Sequence, residues 1–174
     1  MKIFFNKKRL IKEIQNTKDL GFVPTMGSIH KGHLSLIKKS KKLSSKTIVS
    51  IFVNKPQFNN KNDFKKYPRS IKKDINLLKK SKINYLYLPS AKEIYPHGRN
   101  KNIKISKWKR ILCGKNRKGH FEAVVDVLDR FIKIIKPSQI YLGEKDFQQF
   151  AILREFIIKN KIKTKPVICP TIRE

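Results

Sequence analysis

Thr47-Ile48-Val49-Ser50-Ile51-Phe52-Val53 is a nearly continuous run of β-branched and aromatic residues, and it constrains the fold more than any other stretch. A strand with one wet face alternates apolar and polar residues. A strand that is apolar throughout has both faces covered, as in a parallel sheet between two layers of helix. The remaining chain fits that scheme, because short apolar segments alternate with helical patterns. Ile3-Phe4-Phe5, Gly21 to Thr25, Ile83 to Leu88, Gln139 to Leu142 and Pro166 to Cys169 read as further strands. Lys8 to Gln15, with Leu10, Ile11 and Ile14 on one side, reads as an amphipathic helix. So do Lys31 to about Leu43, a helix opening at Tyr67-Pro68-Arg69 with Ile71, Ile75 and Leu78 apolar, and Phe150 to Ile158. The pattern Ala123, Val124, Val127, Leu128, Phe131, Ile132, Ile135 predicts a long helix that Pro137 stops. Asn59 to Lys66 reads as a mobile loop, Ile103-Lys104-Ile105 as a strand, and Trp108, Ile111 and Leu112 as one short helical face. The expected architecture is α/β, a parallel sheet flanked by helices, with ligands at the carboxyl ends of its strands.

At 174 residues and 39% hydrophobic composition the chain suffices for one core. No apolar run approaches the roughly 20 residues of a membrane span, and the Met1 to Lys7 segment is too short in its apolar part for a signal peptide. Cys113 and Cys169 lie far apart without metal-ligand spacing, so they read as free thiols of a cytoplasmic protein. The net charge of +30, from 42 Lys and Arg against 12 Asp and Glu, raises the question of nucleic acid. The lysines are spread along the chain in pairs such as Lys38-Lys39, Lys65-Lys66 and Lys79-Lys80, accompanied by abundant Ile and Asn. That distribution points to codon drift and to incidental, salt-sensitive polyanion binding, with no specific nucleic-acid module.

Four segments carry chemistry. Pro24-Thr25-Met26-Gly27-Ser28-Ile29-His30-Lys31-Gly32-His33 stands where a strand gives way to a helix. Free N–H groups and the positive dipole end of such a helix form an anion site, and imidazoles three apart project over its first turn. The segment lacks the endings of a P-loop and the spacing of a dinucleotide fingerprint. Asn54-Lys55-Pro56-Gln57-Phe58 follows the central strand; an ordinary polar turn has the same composition, but its amides suit a ligand with a hydroxyl beside a carboxylate. Arg117 and His120 crowd the start of the long helix, again a place for a phosphate or carboxylate. Gly143-Glu144-Lys145-Asp146-Phe147-Gln148-Gln149 is a charged turn between strand and helix; its lysine can neutralise phosphate charge, while its aspartate can equally serve as a helix cap.

His30-Lys31-Gly32-His33 resembles the HIGH-type signature of nucleotidyltransferases. The longer Pro-Thr-Met-Gly before it and the Gly-Glu-Lys-Asp-x-Gln-Gln at 143–149 resemble the pantothenate synthetase (pantoate–β-alanine ligase) family. The resemblance extends to Tyr67-Pro68-Arg69, Glu93-Ile94-Tyr95-Pro96 and Gly119-His120-Phe121, and implies a Rossmann-like domain over residues 1–174. It implies ATP contacts from Met26, Gly27, Ser28, Ile29, His30, Lys31, Gly32 and His33, from Gly143, Glu144, Lys145 and Asp146, and from Ile172. Gln57 and Gln149, with Asn54, His120 and Arg117, are implied for pantoate and β-alanine. The family's usual segment is Phe-Val-Asn-Pro-x-Gln-Phe, and here the proline stands one place later, at Pro56.

The implied reaction has two steps. Pantoate carboxylate attacks the α-phosphorus of ATP and releases pyrophosphate, and the amine of β-alanine then displaces AMP. His30, His33 and Lys145 are the expected catalytic residues, with His33 the expected proton donor because an unperturbed imidazole titrates at ~6.5. Asp74 is a candidate for holding Mg²⁺ near the phosphates, although a solvated helical carboxylate is the more ordinary reading. The family commonly forms homodimers, and its members continue beyond the equivalent of Glu174 into a Ser-Ser-Arg-Asn loop and a smaller C-terminal domain. Two other readings compete: a different HIGH-type adenylyltransferase, and an inactive remnant that binds polyanions through charge.

Overall fold

The computed structural model describes residues 1–106 and 112–172, with Leu112 and Cys113 described by backbone alone. Six strands form one sheet: β1 Lys2–Phe4, β2 Leu20–Thr25, β3 Lys46–Ile51, β4 Tyr85–Tyr87, β5 Gln139–Gly143 and β6 Lys165–Cys169. Their order is β1-β4-β3-β2-β5-β6 and every pairing is parallel, for example Phe22 opposite Ile48 and Tyr141 opposite Val167. Seven α-helices are described: α1 Lys7–Ile14, α2 Lys31–Leu43, α3 Lys61–Lys66, α4 Ile71–Lys80, α5 Ala91–Ile94, α6 His120–Ile135 and α7 Phe147–Lys159. None of them is long and apolar enough to cross a membrane.

The pleat explains the continuous apolar run of β3. Ile48 joins a core with Leu10 of α1, Phe131 of α6 and Leu153 of α7 on one face of the sheet. Its neighbour Val49 joins Ile37 of α2 and Leu78 of α4 on the other. Phe22 and Val23 in β2, and Leu142 and Tyr141 in β5, divide in the same way between the two cores. With both faces packed, no position in the strand is left to a polar residue by default.

The sheet reverses its winding between β2 and β5. Those strands pair only over Gly21–Gln139 and Phe22–Ile140, then diverge, leaving a crevice at their carboxyl ends. Pro24 fits this geometry. The Thr25 carbonyl accepts the Phe52 N–H on the β3 side, so Pro24, one residue earlier, turns its backbone toward the gap, where no ladder donor is called for.

Three segments differ from the sequence reading. Asn59 to Lys66 is not a loop throughout, since α3 occupies Lys61–Lys66 with Asn60 as its N-cap. A ring cluster of Phe58, Phe64 and Tyr67 fastens it, Arg69 lies 4.9 Å over Phe64, and the Arg69 guanidinium donates to the Phe64 and Lys65 carbonyls. The next helix begins at Ile71, not at Tyr67. Ile103 and Ile105 form no strand; their side chains pack against Phe121, Val125 and Ile152. The Trp108 and Ile111 positions lie outside the described residues, as does the Leu112 side chain.

Candidate active site

Four segments leaving the carboxyl edge meet over the crevice, joined by the start of α6. The stretch Met26 to His30 follows β2, the 3-10 turn Lys55–Gln57 follows β3, the 3-10 turn Glu144–Asp146 follows β5, and Pro170 to Ile172 follow β6. They enclose three contiguous cavities of about 320, 170 and 410 Å³. The first has His30, His33, Asn54, Gln57, Lys145, Asp146 and Gln149 in its walls, over an apolar floor of Val124, Val127, Leu128 and Phe131 from α6. The second shares the histidines, Lys145 and Asp146 and adds Gly32, Gly143 and Ile172. The third shares Met26, Gln57, Lys145 and Gln149 and adds Arg117 and His120. Residues from opposite ends of the sequence thus line one cleft.

His30 is the N-cap of α2, in extended backbone, and its Nδ1 accepts the Gly32 N–H at 3.1 Å. That bond puts the proton of a neutral ring on Nε2. A Cβ at Gly32 would lie 2.8 Å from His30 Cε1, so the turn leaves no room for a side chain there. The His30 and His33 rings lie with centroids 4.0 Å apart at 36°. His33 is half-buried, and its Nδ1, shielded from solvent, has no hydrogen-bond partner among the described residues; neither has Ser50 Oγ, in the wall of the same cavity. Burial, followed by the adjacent His30 and opposed by Asp74, lowers the His33 pKa to about 4. The ring is therefore neutral near pH 7, which corrects the expectation of an imidazole proton donor titrating near 6.5.

The turn before His30 is held from beneath. Asp74, 2% exposed, accepts the Ser28 N–H through Oδ2 at 2.9 Å and the Ile29 N–H through Oδ1 at 2.8 Å. The expectation of a solvated helical carboxylate is wrong, because the side chain is buried and each oxygen serves a backbone donor. No group of three or more His, Cys, Asp and Glu side chains fit to hold a metal occurs among the described residues. The same bonds commit the Ser28 and Ile29 N–H groups to Asp74, and the Ile29 side chain lies in the core. Gly27, which adopts φ +87°, supports the turn from behind. Gly27, Lys31 and Glu144 contribute to none of the three cavities, and the last two are exposed.

Asn54 is 1% exposed and its amide is fully engaged. It donates to Gln57 Oε1 at 3.0 Å and to the Ala123 carbonyl at 3.2 Å, and accepts from the Tyr95 hydroxyl at 2.7 Å. Its amide thereby orients Gln57 from the wall of the cavity. Moving the proline to Pro56 leaves Gln57 on the cleft wall, at the end of a 3-10 turn that Pro56 helps to form. His120, 5% exposed, donates from Nδ1 to the Gln57 carbonyl at 2.8 Å, and burial lowers its pKa. Asp146 stands at the N-cap position of α7 but makes no capping bond, so its carboxylate remains on the cleft. Tyr67 also lines the first cavity, with its hydroxyl pKa raised by burial and by Asp74; no pattern in the sequence singled out its side chain.

The family model described as pantoate-beta-alanine ligase matches residues 3–174. The chain belongs to that family. A pantothenate synthetase of Pseudothermotoga lettingae is 40% identical over 167 residues, covering 96% of this chain and 59% of the relative. One from Francisella tularensis subsp. novicida is 43% identical over 169 residues, covering 97% of this chain and 63% of the relative. The structure superposes on pantothenate synthetase from Thermus thermophilus with TM-score 0.95 at 31% identity, over 100% of this chain and 63% of the other. On the pantoate-beta-alanine ligase of Francisella tularensis complexed with beta-gamma ATP and beta-alanine the TM-score is 0.93 at 41% identity, over 100% and 68%. The chain therefore spans about three fifths of the length of the first of these ligases.

Proposed function

We propose that residues 1–174 form a Rossmann-like domain that binds ATP and pantoate and joins them as pantoyl adenylate, the first half of pantothenate synthesis. The observation that carries this reading is the single cleft lined by His30, His33 and Lys145 together with Gln57 and Gln149. ATP lies with its phosphates against the imidazoles and Lys145. His30 offers Nε2–H and His33 a ring N–H as hydrogen-bond donors, while Lys145 offsets charge developing on the phosphoryl oxygens. Pantoate lies over the apolar floor, which suits its branched carbon, with its carboxylate and hydroxyl oxygens toward the glutamines. In-line attack of that carboxylate on the α-phosphorus then needs alignment, not a covalent enzyme intermediate. His120 and Arg117 face the third cavity, where β-alanine approaches to displace AMP. We assign Mg²⁺ to the phosphates of ATP and to no side chain. A cytoplasmic homodimer completes the reading.

The test is pantoate-dependent exchange of pyrophosphate into ATP by this chain, beside calorimetric titration of ATP and pantoate. Exchange that disappears in His33→Ala, in a protein still folded by circular dichroism, supports the assignment. Absence of both exchange and binding in the parent overturns it. Exchange equally strong with an unrelated acid overturns the choice of pantoate.

A further inference from the structure

Gln57 carries an amide whose two ends have opposite chemistry, and the end left for the cleft is decided three groups away. The Ala123 carbonyl can only accept, so the Asn54 atom 3.2 Å from it is Nδ2. The second N–H of that group meets Gln57 at 3.0 Å and requires an acceptor, which fixes Gln57 Oε1 there. Asn54 Oδ1 is then left to accept from Tyr95, whose hydroxyl lies at 2.7 Å. What remains of the Gln57 amide is Nε2, whose partner among the described residues is the weak acceptor Met26 Sδ at 3.2 Å. Turning over Asn54 sets oxygen against oxygen, and turning over Gln57 sets one NH₂ group against another. Tyr95 is itself clamped: the Arg130 guanidinium lies 4.6 Å from its ring centroid. Arg130 is fixed in turn by Asp126 Oδ1 at 2.7 Å and by the Ile94 and Gly98 carbonyls at 2.9 and 3.0 Å.

We propose that Tyr95 is a positioning residue which, together with the Ala123 carbonyl that sets the direction, holds Asn54 in place and so keeps Gln57 a hydrogen-bond donor only, so that the cleft selects an acceptor oxygen of its ligand at that point and rejects an amine. The inference rests on the reading that Gln57 meets pantoate, and it gives that reading a direction: the acid or hydroxyl oxygen faces Gln57, and the amine of the second substrate does not. If Tyr95 only filled space, the substitution Tyr95→Phe would change little, because the ring and its contact with Arg130 are kept.

Two measurements on the 174-residue chain test it. Side-chain NH₂ signals of Gln57 and Asn54 are recorded by ¹⁵N NMR without ligand, and (R)-pantoate and ATP are titrated calorimetrically. In Tyr95→Phe the Gln57 signals shift although Tyr95 is two hydrogen bonds away, and the His30 and His33 ring signals stay in place. Pantoate binds roughly tenfold more weakly, as for a misdirected hydrogen bond to a charged group, while ATP affinity changes less than twofold. Gln57→Glu, which turns an acceptor to the cleft, weakens pantoate by roughly a hundredfold or more and spares ATP. Unchanged Gln57 signals together with unchanged pantoate affinity in Tyr95→Phe overturn the relay. Should Tyr95→Phe fail to fold, unchanged pantoate affinity in Gln57→Glu overturns it. Should the parent bind no pantoate, the functional reading fails by itself, and the NMR shift still decides whether Tyr95 directs Gln57.

Discussion

Asp74 Oδ1 accepts the N–H of Ile29 at 2.8 Å, tying the first turn of α4 to the turn that delivers both histidines. Its other oxygen takes the N–H of Ser28, so one carboxylate satisfies two consecutive donors that would otherwise be buried without partners. Removing it in Asp74→Ala leaves both unpaired, at a cost of roughly 1–3 kcal/mol each. Urea unfolding should show a loss of that order, and ATP affinity should fall with it because the histidine turn loses its anchor. An unchanged unfolding midpoint would mean that water replaces the carboxylate without cost.

The stability of the chain should depend on pH through His33. The unfolded ring titrates near 6.5 and the folded ring at about 4. Above pH 6.5 the ring is neutral in both states and contributes no slope. As pH falls from 6.5 toward 4 the unfolded chain takes up the proton and the folded one does not, so stability declines across that window and the loss is complete below it. His33→Gln should flatten this part of the curve in thermal melts taken at successive pH values.

Lys145 and His33 line the same cleft, and the positive charge of one disfavours a proton on the other. Lys145 is among the groups that hold the His33 pKa down, after burial and His30. Lys145→Gln should raise the His33 pKa, and His30→Gln should raise it further, both read from ring proton shifts against pH. If neither variant moves it, desolvation alone sets the value.

Gly32→Ala places a methyl 2.8 Å from His30 Cε1 and 3.0 Å from Nδ1. The His30 ring must swing away and give up the Gly32 N–H. ATP affinity should drop at least tenfold, a change of about 1.4 kcal/mol, while the circular dichroism spectrum is kept. Retained affinity would show that His30 works in a second rotamer.

The sheet and the main helices were legible because burial on two faces leaves a continuous apolar signature in β3, and α2 shows its own bounds, Lys31 and Leu43. What stayed hidden depends on contacts distant in sequence. Asp74 lies in Lys72-Lys73-Asp74, which looks like any solvated helix face; its buried role comes from donors 45 and 46 residues earlier. The α3 segment has no apolar periodicity and owes its helix to the Phe58–Phe64–Tyr67 rings and to Arg69. Ile103 and Ile105 alternate as a strand would, but the partners they meet are side chains of α6 and α7. In the cleft, residue types announced the histidines, Lys145 and the glutamines, whereas the hydrogen-bond directions that commit the Asn54 amide internally and turn Gln57 Nε2 to the cavity wall are not carried by composition.

Gly21 faces α2 so closely that a methyl on it would run into the hydroxyls of Ser40 and Ser44. The histidine-bearing helix is thereby seated directly on strand backbone, like a fixed jaw. Retailoring this scaffold for a different acid is consequently a task for Gln57 and Gln149, cleft residues carried by other segments.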